Sequence, residues 1–243
     1  MMRMLSYSLR TAKEILRDPL NLGFGLGFPL VLLFLLSAIQ ANIPVSLFAP
    51  EMLTPGLTVF GLAFMTLFSA ALIAKDRSSS LLQRLYTTPL RPADYILGYM
   101  LPVLPISAAQ CVLCYLAAAC LGLKLTVNVL WAVLLLIPAE IFFIALGLLC
   151  GSVLTDKQVG GICGALLTNL TAWLSGTWFS LDLVGGWFKR IAFALPFANG
   201  VELGRAAVAG DYTHLTPYLW WCLGYTVVLT VLAIAVFRRR MKQ

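Results

Sequence analysis

Reactive chemistry is scarce in this sequence. Histidine occurs once, as His214, and charged residues fill only 11% of the 243 positions. No Gly-x-x-x-x-Gly-Lys-[Ser/Thr] loop is present to cradle the phosphates of ATP. A Gly-x-Ser-x-Gly elbow, a His-Glu-x-x-His pair and a paired Cys-x-x-Cys metal site are missing too. One histidine does not furnish a hydrolytic triad or a His-rich metal centre. The expectation is therefore a non-enzyme without a metal or cofactor of its own. The six cysteines (Cys111, Cys114, Cys120, Cys150, Cys163 and Cys222) all fall in apolar stretches, where they read as small packing residues. Cys111 and Cys114 have a redox spacing, but no βαβ pattern surrounds them.

What fills the chain instead is hydrocarbon. Hydrophobic residues make up 60% and the mean hydropathy is +0.92, beyond the range of an ordinary soluble domain. A bilayer core of ~30 Å needs ~20 apolar residues per helix. Such stretches occur at Leu20–Ile39, Leu57–Ala74, Tyr95–Leu123, Val127–Leu154, Val159–Trp178 and Tyr218–Phe237. Strict alternation, as barrel strands require, is absent, and backbone groups in lipid must be satisfied internally, so these are helices. The expectation is an all-α polytopic membrane protein with six transmembrane helices, forming one domain over residues 1–243.

Charge orients it. Arg3, Arg10, Lys13 and Arg17 precede the first span; Lys75, Arg77, Arg84 and Arg91 follow the second; Lys157 follows the fourth; Arg238, Arg239, Arg240 and Lys242 close the chain. Only Lys124, Lys189, Arg190 and Arg205 lie on the other side. By the positive-inside rule both termini are cytoplasmic in the plasma (inner) membrane. These cations flank spans rather than form one patch, so the net charge of +7 does not indicate nucleic acid. The first span has full length and no small-residue cleavage site, so it is not a removable signal.

Three segments stand apart from the spans. Residues 1–18 read as an amphipathic interface helix. Leu5, Leu9, Ala12 and Leu16 form its apolar stripe, and Arg10, Lys13, Glu14 and Arg17 face elsewhere; its cations suit anionic lipid headgroups, the other reading being a positive-inside flank that happens to be helical. Pro19 ends it. Residues 75–94 form the most polar cytoplasmic loop, in which Ser78, Ser79 or Ser80 caps a short helix with Leu81, Leu82 and Leu85 on its apolar face. Thr88-Pro89 and Arg91-Pro92 stop that helix. Residues 175–217 hold two short helical stretches, Trp187–Leu195 and Phe197–Val208. They read as a re-entrant element in the outer leaflet or as amphipathic helices lying flat. Asn199, Glu202 and Arg205 share a face there, with Glu202 and Arg205 spaced to pair.

Inside the spans, Pro102 and Pro105 are expected to kink the third. Glu140 lies midway along the fourth, where a charge costs roughly 2.5–3.5 kcal/mol. It therefore faces the bundle or is protonated, as a functional group or as a structural hydrogen-bonding one.

The run Asp76-Arg77-Ser78-Ser79-Ser80-Leu81-Leu82-Gln83-Arg84-Leu85-Tyr86-Thr87-Thr88-Pro89 resembles the segment after the second span in permease subunits of ABC transporters of the type-2 family, the type V exporter fold. That family shows Glu-Arg-Glu-x-Gly-Thr-x-Glu-x-Leu-x-x-x-Pro here. Asp76, Arg84, Leu85, Thr88 and Pro89 match its character, while Ser78, Ser80 and Leu81 replace the second acid and the Gly-Thr pair. Leu174-Ser175-Gly176-Thr177-Trp178-Phe179, Leu195-Pro196 and Arg205 are similar to the family's fifth-span ending and re-entrant region.

The resemblance implies a half-transporter. Its cytoplasmic ATPase partner would bind ATP and Mg, and a second permease, identical or closely related, would complete the dimer. Asp76, Arg77, Leu81, Leu82, Arg84, Leu85, Tyr86 and Pro89 would form the ATPase-coupling element, beside the interface helix. Phe60, Phe64, Phe68, Asn169, Trp173 and Trp178 are candidate linings of a substrate path near the second and fifth spans; the other reading of each is packing against lipid or core. The expected cargo is hydrophobic or amphipathic: a drug, lipid, peptide or lipid-linked glycan. A proton-coupled secondary transporter using Glu140 and a non-transporting membrane assembly subunit are the alternatives.

Overall fold

The computed structural model describes residues 2–42, 48–79, 82 and 90–241. Among these residues there is no β-strand. Helix α1 (Met2–Leu16) stops before Asp18. The Asp18 carboxylate then caps α2 (Pro19–Gln40) by accepting from the Asn21 N–H at 3.2 Å, with proline at the first helical position. Next come α3 (Pro50–Ser78) and α4 (Pro92–Cys120). The Arg91 N–H bonds back to the Asp94 carboxylate to open α4, which carries Pro102 and Pro105 within it.

The expected fourth span divides into α5 (Val127–Leu135) and α6 (Ile137–Val153). Pro138 lacks an N–H and interrupts the ladder at this point. The region of the expected fifth span runs through α7 (Asp156–Val159), a π-helical segment (Gly160–Leu167) and α8 (Thr168–Leu174). Then follow α9 (Leu181–Val184), α10 (Gly186–Ala194), α11 (Pro196–Ala209) and α12 (Leu215–Arg240).

Among the described residues, five helical stretches are long and apolar enough to cross a membrane: α2, α3, α4, α5 with α6, and α12. The wider π turns and three glycines (Gly160, Gly161 and Gly164) divide the remaining stretch, and helix ends at Leu174 rather than at Trp178.

Helix α3 is the axis of the bundle. Of its most apolar window 83% is buried, against 22% for α2 and 17% for α12. Its tightest neighbour is α6. A Cβ added at Gly147 would lie 2.3 Å from the Thr66 carbonyl oxygen, and one at Gly151 would lie 2.4 Å from that of Ala70. Small residues four apart thus let the two backbones meet, as in close helix pairs within membranes. The Thr66 hydroxyl donates to the Phe143 carbonyl at 2.8 Å across the same contact. Helix α12 covers the other side of α6, where the Thr226 hydroxyl lies 2.6 Å from the Pro138 carbonyl oxygen and 2.7 Å from that of Cys222 in its own helix.

Helix α1 packs on the bundle through a face other than its leucine stripe. Tyr7, Ser8, Thr11 and Ile15 are buried against the bundle, whereas Leu5, Leu9 and Leu16 are 40%, 64% and 71% exposed. Tyr7 stands edge-on to Tyr95 and Tyr99 of α4, with ring centroids 5.6 and 5.2 Å away. A Cβ at Gly98 would lie 2.6 Å from the Tyr7 ring, so the glycine makes room for it.

Candidate functional site

The expected loop 75–94 begins later than its polar composition indicates, because α3 continues to Ser78. Asp76 and Arg77 therefore sit on the last turn of a long helix, held from both sides. Arg10 reaches from α1 and donates to both Asp76 carboxylate oxygens, at 2.8 and 3.1 Å. The Tyr99 hydroxyl of α4 adds a third bond at 2.6 Å. Asp76 is only 3% exposed. Such charge-assisted bonds are the stronger class. Glu14 completes the group, 2.9 Å from Arg10 and 3.5 Å from Lys75. Hydrogen bonding to Asp76 raises the Arg10 pKa further, so the guanidinium stays charged.

Arg77 points the other way. Its guanidinium donates to the Gly151 and Leu154 carbonyls at 2.8 and 3.1 Å, capping the end of α6. Two adjacent residues thus join the end of α3 to three other helices: α1, α4 and α6. Leu82 is buried in the main core at 1% exposure. The remaining candidates for coupling, Leu81, Arg84, Leu85, Tyr86 and Pro89, lie outside the described residues. Lys13 on α1 and Arg17 in the turn just after it are both exposed.

The candidate path residues divide. Phe60 and Phe64 are edge-on at 5.8 Å, and Trp178 meets Phe60 at 5.6 Å. Phe28 of α2 joins them, 5.2 Å from Phe64. Phe64 and Phe68 also line a groove between α2 and α3. Asn169 and Trp173 do not belong to this cluster. Both are exposed on α8, with the Asn169 amide turned to the Ala165 carbonyl at 2.8 Å.

Glu140 is fully buried, midway along the α5–α6 stretch, and accepts from the Ser107 hydroxyl at 2.9 Å. Gln110, one turn on from Ser107 and also fully buried, donates to the Thr58 carbonyl at 3.4 Å. Ser107 and Gln110 were missed by the sequence reading, although two polar side chains three apart in an apolar helix are a usable signal. No group of three His, Cys, Asp or Glu arranged to hold a metal ion occurs among the described residues.

At the opposite end of the bundle, Arg205 ties α11 down. It pairs with Glu202 at 2.8 Å and donates to the Met52 carbonyl at 3.1 Å and the Gly176 carbonyl at 2.9 Å. Gly176 has φ +70°, a conformation that favours glycine, so the turn after α8 presents its carbonyl to Arg205. Asn199 holds the α10–α11 joint by donating to the Phe193 and Leu195 carbonyls, both at 2.8 Å.

Comparison with curated proteins gave no match. The family model for the ABC-2 type transporter matches residues 4–208, from α1 to the last turn of α11. An all-helical membrane architecture accompanies that match, and the chain belongs to the ABC-2 type transporter family, whose members are membrane permease subunits of ABC transporters.

Proposed function

We propose that this chain is the membrane half of an ATP-driven exporter that moves a hydrophobic or amphipathic compound out of the cytoplasm or the inner leaflet. One observation carries the reading: Asp76 and Arg77 bind the end of α3 to α1, α4 and α6. A push on the segment between α3 and α4 would be delivered to four helices together, because charge-assisted bonds resist separation. A soluble ATPase carrying ATP and Mg would supply the push, and a second permease copy or close relative would face this one. In this reading the run from Asp156 to Leu174 is the sixth spanning element. Residues 186–209 form a re-entrant pair, α1 lies in the inner interface, and both termini face the cytoplasm. Phe60, Phe64 and Trp178 line the path.

The test is a pull-down of the tagged chain from mild detergent, followed by an ATPase assay on the eluate. A soluble ATPase recovered with the chain, and lost in Leu85→Asp, supports the reading. Leu82→Asp is unsuitable alone, since a charge at a position 1% exposed breaks the core. A chain that purifies alone, with no ATPase encoded beside it, overturns the reading. The buried Glu140–Ser107 pair then favours a proton-coupled carrier, which Glu140→Gln would disable.

A further inference from the structure

Three concavities on one side of the molecule share their walls. A cleft of about 790 Å³ lies between α1 and the end of α3, bordered by Leu9, Arg10, Lys13, Arg17 and Lys75. Glu14, Asp18 and Lys75 are common to it and to a second hollow of about 200 Å³. That hollow shares Asn21, Phe68 and Ala71 with an apolar groove of about 260 Å³ between α2 and α3. Phe24, Phe64 and Phe68 wall the groove. A charged mouth therefore continues into an apolar slot.

Four cations (Arg10, Lys13, Arg17 and Lys75) line the mouth against two acids (Glu14 and Asp18), while Asp156 borders the second hollow. Glu14 is engaged by Arg10 and Lys75, and Arg10 is engaged by Asp76. The Asp18 carboxylate is occupied by the Asn21 backbone N–H and side-chain amide, at 3.2 and 2.7 Å. Lys13 and Arg17 carry no ion pair among the described residues, and they flank the exposed Leu9 and Leu16 on α1.

We propose that these connected hollows bind one anionic phospholipid taken from the surrounding bilayer. Its phosphate sits at Lys13 and Arg17, and one acyl chain enters the Phe24–Phe64–Phe68 groove. The charge at the mouth selects an anion, since each Lys or Arg near a membrane surface contributes about 1 kcal/mol toward anionic lipid. The groove selects a hydrocarbon chain: Asn21 is its one polar side chain, and a peptide would leave its backbone groups unpaired against such walls. A free phosphate would fill the mouth and leave the groove empty. The inference rests on the chain's place in a bilayer and not on the export reading, so the two stand or fall separately.

The experiment is native mass spectrometry of the delipidated full chain, titrated with phosphatidylglycerol, with phosphatidylcholine of the same acyl chains, and with inorganic phosphate. The expected result is one retained phosphatidylglycerol, bound more tightly than phosphatidylcholine. In Lys13→Gln/Arg17→Gln, whose positions are exposed and leave the core intact, the preference drops by about fivefold per cation removed. Ala71→Phe, checked by helicity and monodisperse elution, should close the junction and weaken both lipids. Equal retention of the two lipids, insensitivity to the double substitution, or displacement of phosphatidylglycerol by millimolar phosphate would each overturn the proposal.

Discussion

Arg10 and Asp76 stand 66 positions apart and meet through two parallel hydrogen bonds of 2.8 and 3.1 Å, with Tyr99 closing on the same carboxylate. Asp76→Ala leaves the guanidinium with Glu14 alone and detaches the Tyr99 hydroxyl. Charged hydrogen bonds are worth roughly 1.5–3 kcal/mol. The apparent melting temperature in detergent should therefore fall clearly, and Arg10→Lys should recover only part of the fork. Because the Arg10 pKa is raised, its contribution is present below the ordinary guanidinium value and lost only above the raised one. Its side of the pair should not titrate near neutrality.

A glycine of the α3–α6 contact and one of the π-helical segment should respond in opposite ways. Gly147→Val drives a side chain against the Thr66 carbonyl oxygen, 2.3 Å from where its Cβ must go. Overpacking of this kind costs about 1–3 kcal/mol. Gly160→Ala meets nothing within 4 Å and should be tolerated or mildly stabilising. Thermal unfolding of the two variants side by side checks the contrast.

Arg205 makes contacts that lysine cannot reproduce together. Arg205→Lys should lose the bonds to the Met52 and Gly176 carbonyls, at about 1–3 kcal/mol for the part-buried Gly176 oxygen left behind, the Met52 oxygen being open to solvent. Limited proteolysis should show faster cutting between α8 and α11, with Glu202→Gln less affected.

Asp211 gives a pH dependence with a definite sign. Hydrogen bonds from Thr213 and then His214 lower its pKa from 3.8 to about 2. A depressed carboxylate stabilises the folded turn above its ordinary value and ceases to do so as pH falls through the folded one. The Asp211–His214 turn should loosen between about pH 4 and pH 2, as faster hydrogen exchange at the Thr213 amide. Asp211→Asn should show that faster exchange at neutral pH.

Hydropathy alone located most of the helical mass, because length and apolarity are what a bilayer demands of a span. It did not identify which faces turn inward. Leu5, Leu9 and Leu16 form the apolar stripe of α1 and stay exposed, while Tyr7, Thr11 and Ile15 are the residues buried against the bundle. Lipid tails are as apolar as leucine, so an apolar face carries no preference for the interior, and the polar atoms are the ones that need partners there. Asp76 and Arg77 read as loop residues for the same reason: their partners, Arg10, Tyr99, Gly151 and Leu154, lie at separations that local pattern does not encode. The Glu202–Arg205 pair was legible because its spacing is a single helical turn. The Gly147–Gly151 spacing of four was a usable signal of the close α3–α6 approach, and it was passed over.

A hydroxyl carries one proton, and that of Thr226 lies between two carbonyl oxygens, Pro138 across the gap and Cys222 in its own helix. If α12 slides away from the α5–α6 break, the proton stays with Cys222 and no donor is stranded. The joint behaves as a slip clutch rather than a rivet: it holds register at rest, and letting go leaves only a carbonyl to be satisfied. Thr226→Val would turn that clutch into plain grease, keeping the shape of the contact and losing its detent.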